Sequence, residues 1–168
     1  MKIIKYFIII SLLVLFGCSK ETDKGYMDKA AKEMKDSSVT EAVSSYESLI
    51  KEYPKSDLAP EALTRMAAIY QNKMVKTLSE KESFKKAVEL YRKIYDDYPK
   101  SKNAPEALFM SGYIQANDLH DYDKATETYN LFLQKFPEND LALSAKEELE
   151  HMGLSPEQIL AKKKTAEN

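Results

Sequence analysis

One cysteine, two histidines and a scatter of acids are all this chain offers for bond-making chemistry. Cys18 is the only cysteine in 168 residues, so it has no partner for an internal disulfide and is either a free thiol or a modified one. His120 stands beside Asp121 and Asp123, residue types that bind divalent metals. The same three residues also suit a turn between helices, with Asp121 capping the second, and this plainer reading is preferred. Glu147 and His151 are four apart and share a helix face, the spacing of a solvated pair. The two histidines lie 31 residues apart, and no nucleophile–base pair or glycine-rich phosphate loop is present. The required parts of an active site are missing, so the expectation is no enzyme, no cofactor and no metal.

Charge narrows the partners. With 25 basic and 27 acidic side chains the chain carries −2 at pH 7. Lys2 and Lys5 form a basic start, and the apolar run from Tyr6 to Phe16 is too short to span a bilayer as a helix. Residues 1–17 therefore read as an export signal. Without them 23 basic and 27 acidic side chains remain, net −4, which argues against nucleic acid and against electrostatic attraction to anionic lipid. Leu15-Phe16-Gly17-Cys18 resembles the lipobox of bacterial lipoproteins, although Phe16 is larger than the usual residue there. That resemblance implies lipid, palmitate included, on Cys18 as the first mature residue, and membrane contact through that lipid. By analogy with lipoprotein sorting, Ser19 rather than aspartate favours the outer membrane, facing the periplasm, over the inner one.

The elements that position everything else repeat. Ala42, Tyr46, Tyr53 and Pro54 share their spacing with Ala87, Tyr91, Tyr98 and Pro99, and again with Ala125, Tyr129, Phe136 and Pro137. Lys55-Ser56 recurs as Lys100-Ser101, and Ala59-Pro60-Glu61-Ala62-Leu63 as Ala104-Pro105-Glu106-Ala107-Leu108. A unit repeated at a fixed period cannot bury its own apolar face and must stack on a neighbour. Apolar offsets of 0, 4, 7, 8 and 11 trace one helical stripe, and the proline at 12 ends each helix. Small Ala67 and Gly112 allow close helix approach. Ser38 with Glu41, Ser79 with Glu82, and Ser155 with Gln158 have capping-box spacing. The pattern predicts helices near 26–36, 40–53, 59–75, 80–98, 104–117, 121–136, 140–152 and 155–164, within an all-α fold. Lys162-Lys163-Lys164 reads as a solvated helix end.

This layout resembles the tetratricopeptide repeat over about residues 24 to 152. Its wording around each proline is similar to the envelope subgroup, which includes the β-barrel assembly lipoprotein and the Tol–Pal coordinator. The resemblance implies a right-handed superhelical stack of about three helix-turn-helix repeats with C-terminal capping helices. It divides the chain into a signal at 1–17, a polar tether at 18–25, a repeat domain at 26–152 and a C-terminal helix and tail at 153–168. It also implies a binding face on the first helix of each pair, here Arg65, Asn72, Phe109, Met110, Tyr113 and Asn117. On that face Phe109, Met110 and Tyr113 form an apolar patch, while Arg65, Asn72 and Asn117 bond a peptide backbone. The competing expectation packs Phe109 and Met110 against the next helix. The resulting reading is a lipid-anchored scaffold that holds envelope proteins or extended peptide segments. Its rivals are a periplasmic enzyme or metal-dependent protein with an unrecognised site, and a purely structural subunit.

Overall fold

A computed structural model describes residues 20–155 and 157–161. Cys18 and the Lys162–Lys164 run lie outside them. Among the described residues there are seven α-helices and no strand: α1 Asp23–Lys35, α2 Val39–Glu52, α3 Ala59–Gln71, α4 Glu80–Asp97, α5 Ala104–Asn117, α6 Tyr122–Lys135 and α7 Ala142–His151. Residues 157–161 are also helical. Each helix packs on its neighbours in sequence, as a repeat stack requires. In addition α3 lies directly against α5, and the ring of Tyr95 on α4 meets that of Phe136 at the end of α6, so both helices of one pair touch the next pair.

Two kinds of punctuation end the helices. Second helices stop before proline, with Tyr53, Tyr98 and Phe136 adopting nearly the same backbone angles: φ −128°, −129° and −132°, and ψ 56°, 53° and 52°. The chain then turns the same way three times. The side chains of Ser56, Ser101 and Asn139 accept from the amides of Leu58, Asn103 and Leu141 at 3.1, 3.2 and 3.0 Å. Asn139 does the work of the two serines because its side-chain oxygen reaches the same amide. First helices end differently, through a left-handed residue: Ser37 at φ 60°, Lys73 at 53°, His120 at 54° and Gly153 at 75°.

That second device corrects the sequence reading of α3. The helix ends at Gln71, not at 75, because Lys73 turns left-handed and Met74 N–H bonds back to Ile69 C=O at 3.1 Å. The αL position here carries lysine, so no glycine marks it. Met74, Val75 and Leu78 fold back on the core, and Lys73 pairs with Glu80 at 2.8 Å across the connection. At the N-terminus α1 begins at Asp23, capped by Thr22, so residues 23–25 are helical and not tether. Ser79 and Glu82 form the full capping box, and Ser155 and Gln158 exchange the same bonds; Ser38 makes no side-chain cap.

The core has two parts. One runs from α1 to α5 through Tyr46, Leu49, Leu63, Tyr91 and Ile94; the other joins α5 to α7 through Leu108, Tyr129 and Phe132. Each of two helix-ending tyrosines bonds back to an earlier turn: Tyr53 donates to Glu21 C=O before α1 at 2.7 Å, and Tyr98 to Pro54 C=O of the preceding repeat at 2.8 Å. Near the same end Lys20 pairs with Glu52 at 3.3 Å and lies over the Tyr53 ring. Gly112 is where α5 and α6 approach most intimately. A Cβ there would sit 3.1 Å from Tyr129 Cε1 and 3.3 Å from Thr128 Cγ2, which is why a helix-weakening residue stands mid-helix.

Candidate partner-binding surface

Of the six residues expected on the binding face, the structure leaves four at the surface and takes two into the packing. Phe109 is 9% exposed, with its ring centroid 5.5 Å from that of Tyr129 and 5.9 Å from that of Phe132. It is a core residue, which corrects its assignment as a binding anchor. Helix α5 has neighbours on nearly every side, so apolar residues beyond its main stripe are also covered. Met110 is half-buried and packs against both parts of the core, so it joins them rather than offering itself to a partner.

The remaining four form two short stripes on the neighbouring first helices α3 and α5. On α3, Arg65 and Asn72 are exposed and seven residues apart. Arg65 donates to Glu61 at 2.7 Å, and that contact, with a further bond to Tyr46, holds its guanidinium pKa above the ordinary arginine value. Asn72 bonds back to Ala68 C=O at 2.8 Å. On α5, Tyr113 is 37% exposed, and Asn117, one turn on, donates to Tyr113 C=O at 3.2 Å and to Glu148 of α7 at 3.3 Å. The Asn103 amide reaches Thr64 at 3.2 Å, tying α5 to α3. First helices of three successive pairs are therefore linked side to side.

Asn117 also opens onto a cleft of about 650 Å³ at the C-terminal end of the stack. The α5–α6 turn gives it His120 and Tyr122, and α7 gives it Ser144, Glu147, Glu148 and His151. Sequence reading kept the two histidines apart; the fold brings both to one cleft. Their offset in helical register gave no hint of this, because the meeting depends on how α7 crosses the α5–α6 turn. His120 is the left-handed turn residue, and its Nδ1 lies 3.3 Å from Ala116 C=O. Asp121 caps α6 and pairs with Lys124 at 2.7 Å, the pairing that lowers its pKa. Among the described residues no three histidines, cysteines or acids are grouped to hold a metal ion.

The tyrosines of the repeated stripe belong to the core. Tyr91 is 5% exposed and donates to Gln71 at 3.0 Å, and its burial, aided by Glu106, pushes its hydroxyl up to about 12. Tyr129 is fully buried, its hydroxyl has no partner among the described residues, and burial, with Glu148 and Tyr113 nearby, raises its pKa strongly.

No curated protein matches the chain. The outer membrane lipoprotein family YfiO matches residues 9–128, a span from the apolar N-terminal run to the middle of α6. No helix among the described residues is long and apolar enough to cross a membrane. The match covers more than half of the length and fits the repeated helix pairs, so this chain belongs to the outer membrane lipoprotein family YfiO.

Proposed function

We propose that the protein is a non-enzymatic scaffold of the bacterial cell envelope, lipid-anchored at Cys18 and facing the periplasm, that holds envelope proteins or their extended segments in outer-membrane protein assembly or envelope maintenance. Residues 1–17 serve as the export signal, and the tether to the repeat domain is shortened by α1 to residues 18–22. The observation that carries the reading is the linked face of first helices. Arg65, Asn72, Tyr113 and Asn117 stand outside the core on adjoining helices, presenting mixed polar and aromatic groups over a rigid stack. Membership of an outer membrane lipoprotein family supports the location.

Two measurements test it. Mass spectrometry of the membrane-bound protein should find Cys18 acylated and N-terminal; several acyl chains are needed, because one holds a protein only marginally. An unmodified Cys18 would end that part of the reading. Photo-crosslinkers at Asn72, Tyr113 and Asn117 in intact cells should trap discrete envelope proteins, whereas one at exposed Glu89 of α4 should not. Adducts from Glu89 alone would move the binding surface to the second helices.

A further inference from the structure

The cleft at the end of the stack brings apolar, amide and carboxylate groups together, with His120 and His151 also in its lining. Tyr122 and Met152 give it an apolar wall, Asn117 an amide, and Glu147 and Glu148 two carboxylates; no lysine or arginine lines it among the described residues. Some acids elsewhere pair locally, as Glu61 does with Arg65, Asp96 with Arg92, Asp97 with Lys93 and Asp121 with Lys124. Among the described residues Glu147 and Glu148 take part in no ion pair. Carboxylates set in a concave wall focus a negative potential that open surface would dissipate. The Asn117 amide is held only by two long bonds, 3.2 and 3.3 Å, so it is readily exchanged for a better acceptor.

We infer that this cleft receives a segment of a partner protein in which a lysine or arginine stands beside a large apolar side chain. The cation meets Glu147 and Glu148, the apolar group lies against Tyr122 and Met152, and Asn117 bonds the segment's backbone. Charge complementarity selects the occupant, because an acidic segment would meet two carboxylates of like sign and a neutral one would gain nothing from them. The inference rests on the scaffold reading and names the partner chemistry at one end of it.

Anisotropy with the full mature chain tests this directly. The probe is a labelled peptide of about ten residues with a central Lys-Leu-Phe-Arg, and its control has Glu-Leu-Phe-Glu. The basic peptide should bind, and the acidic one should bind about tenfold more weakly or not at all. E147Q with E148Q should lose about tenfold for the basic peptide while keeping Asn117 its acceptor, and should remove most of the weakening seen between about 50 and 500 mM salt. Y122A should weaken binding with the salt dependence intact. Equal binding of both peptides, or no loss in the glutamine pair, overturns the inference. Binding that appears only after residues 162–168 are removed also overturns it, because the chain's own lysines would then be the occupant. If peptides fail while crosslinks at Asn72 and Tyr113 still trap partners, the cleft assignment is wrong and the scaffold stands. Selective peptide binding with no trapped partner in cells would instead sink the scaffold reading.

Discussion

The first two repeats and the third share a backbone and differ in how they hold it. In the first two, tyrosine hydroxyls reach across to defined acceptors: Tyr26 to Glu52, Tyr53 to Glu21, Tyr91 to Gln71 and Tyr98 to Pro54. In the third, Tyr129 has a buried hydroxyl with no partner among the described residues, and Phe136 replaces the tyrosine that would reach the preceding turn. Phe136 instead joins an aromatic group, with its ring centroid 6.1 Å from that of Tyr95 and 5.6 Å from that of Phe132. Directional bonds fix angles, within a repeat for Tyr26 and Tyr91 and between two repeats for Tyr98, while ring packing fixes mainly distance. One sequence pattern therefore yields a bonded half and a packed half.

The largest way to break the bonded half is Tyr91→Ala. It removes a core ring flanked by repeats on both sides and leaves Gln71 without its donor, so denaturant melts should show a loss of about 3–4 kcal/mol. A loss below about 0.5 kcal/mol would mean that the stripe faces solvent.

Alkali should find the same residue. Tyr91 has a folded pKa near 12 against 10.0 for the free side chain, so the folded state resists its ionisation. A raised pKa contributes stability that is whole below pH 10 and is lost as pH climbs through 12. The loss should approach about 2–3 kcal/mol, and Tyr91→Phe should flatten it. Melts identical in slope for wild type and variant over that range would refute the assignment. Tyr129, whose pKa is also raised, should add to the loss in the same direction.

Gly112→Ala probes the packed half. The new methyl gains helix propensity worth about 1 kcal/mol, but it presses on a Tyr129 ring already backed by Phe109. Overpacking should win, for a net loss of about 1–2 kcal/mol. A stabilised variant would show that the ring can retreat.

The smallest effects sharpen the comparison most. Tyr98→Phe deletes one bond between repeats and should cost about 1 kcal/mol. Phe136→Tyr, by analogy with Tyr98 and Pro54, offers a donor to the Pro99 turn and should gain a few tenths of a kcal/mol, about what one partly exposed bond supplies. If both changes are silent in melts, the bonded and packed halves are energetically alike and the contrast is only geometric.

Most helices were legible because apolar spacing and the aromatic-proline endings speak directly of burial and of a blocked amide. The end of α3 was less so, and the device that ends α1, α3 and α5 was hidden. Ser37, Lys73 and His120 adopt left-handed angles that composition does not announce, whereas Gly153 was readable. The third turn was half-hidden because Asn139 stands where the others have serine, two residues of different appearance with one hydrogen-bonding function. On the expected face, Arg65, Asn72, Tyr113 and Asn117 are exposed. Single-helix register failed for Phe109 because a central helix is covered from more than one side, and that depends on neighbours, not on its own period. The cleft was invisible for the same reason: its walls come from the α5–α6 turn and α7, distant in sequence.

The bond from Tyr53 to Glu21 has a mechanical consequence. Order begins at the very start of the described chain, where Lys20 and Glu21 are already fastened to α2 and its end. With lipid on Cys18, three residue steps separate the anchor from the folded body, a reach of about 10 Å at full extension. That distance would keep the first helix pair close to the headgroups and leave the acidic cleft at the opposite end of the stack, farthest along the chain from the anchor.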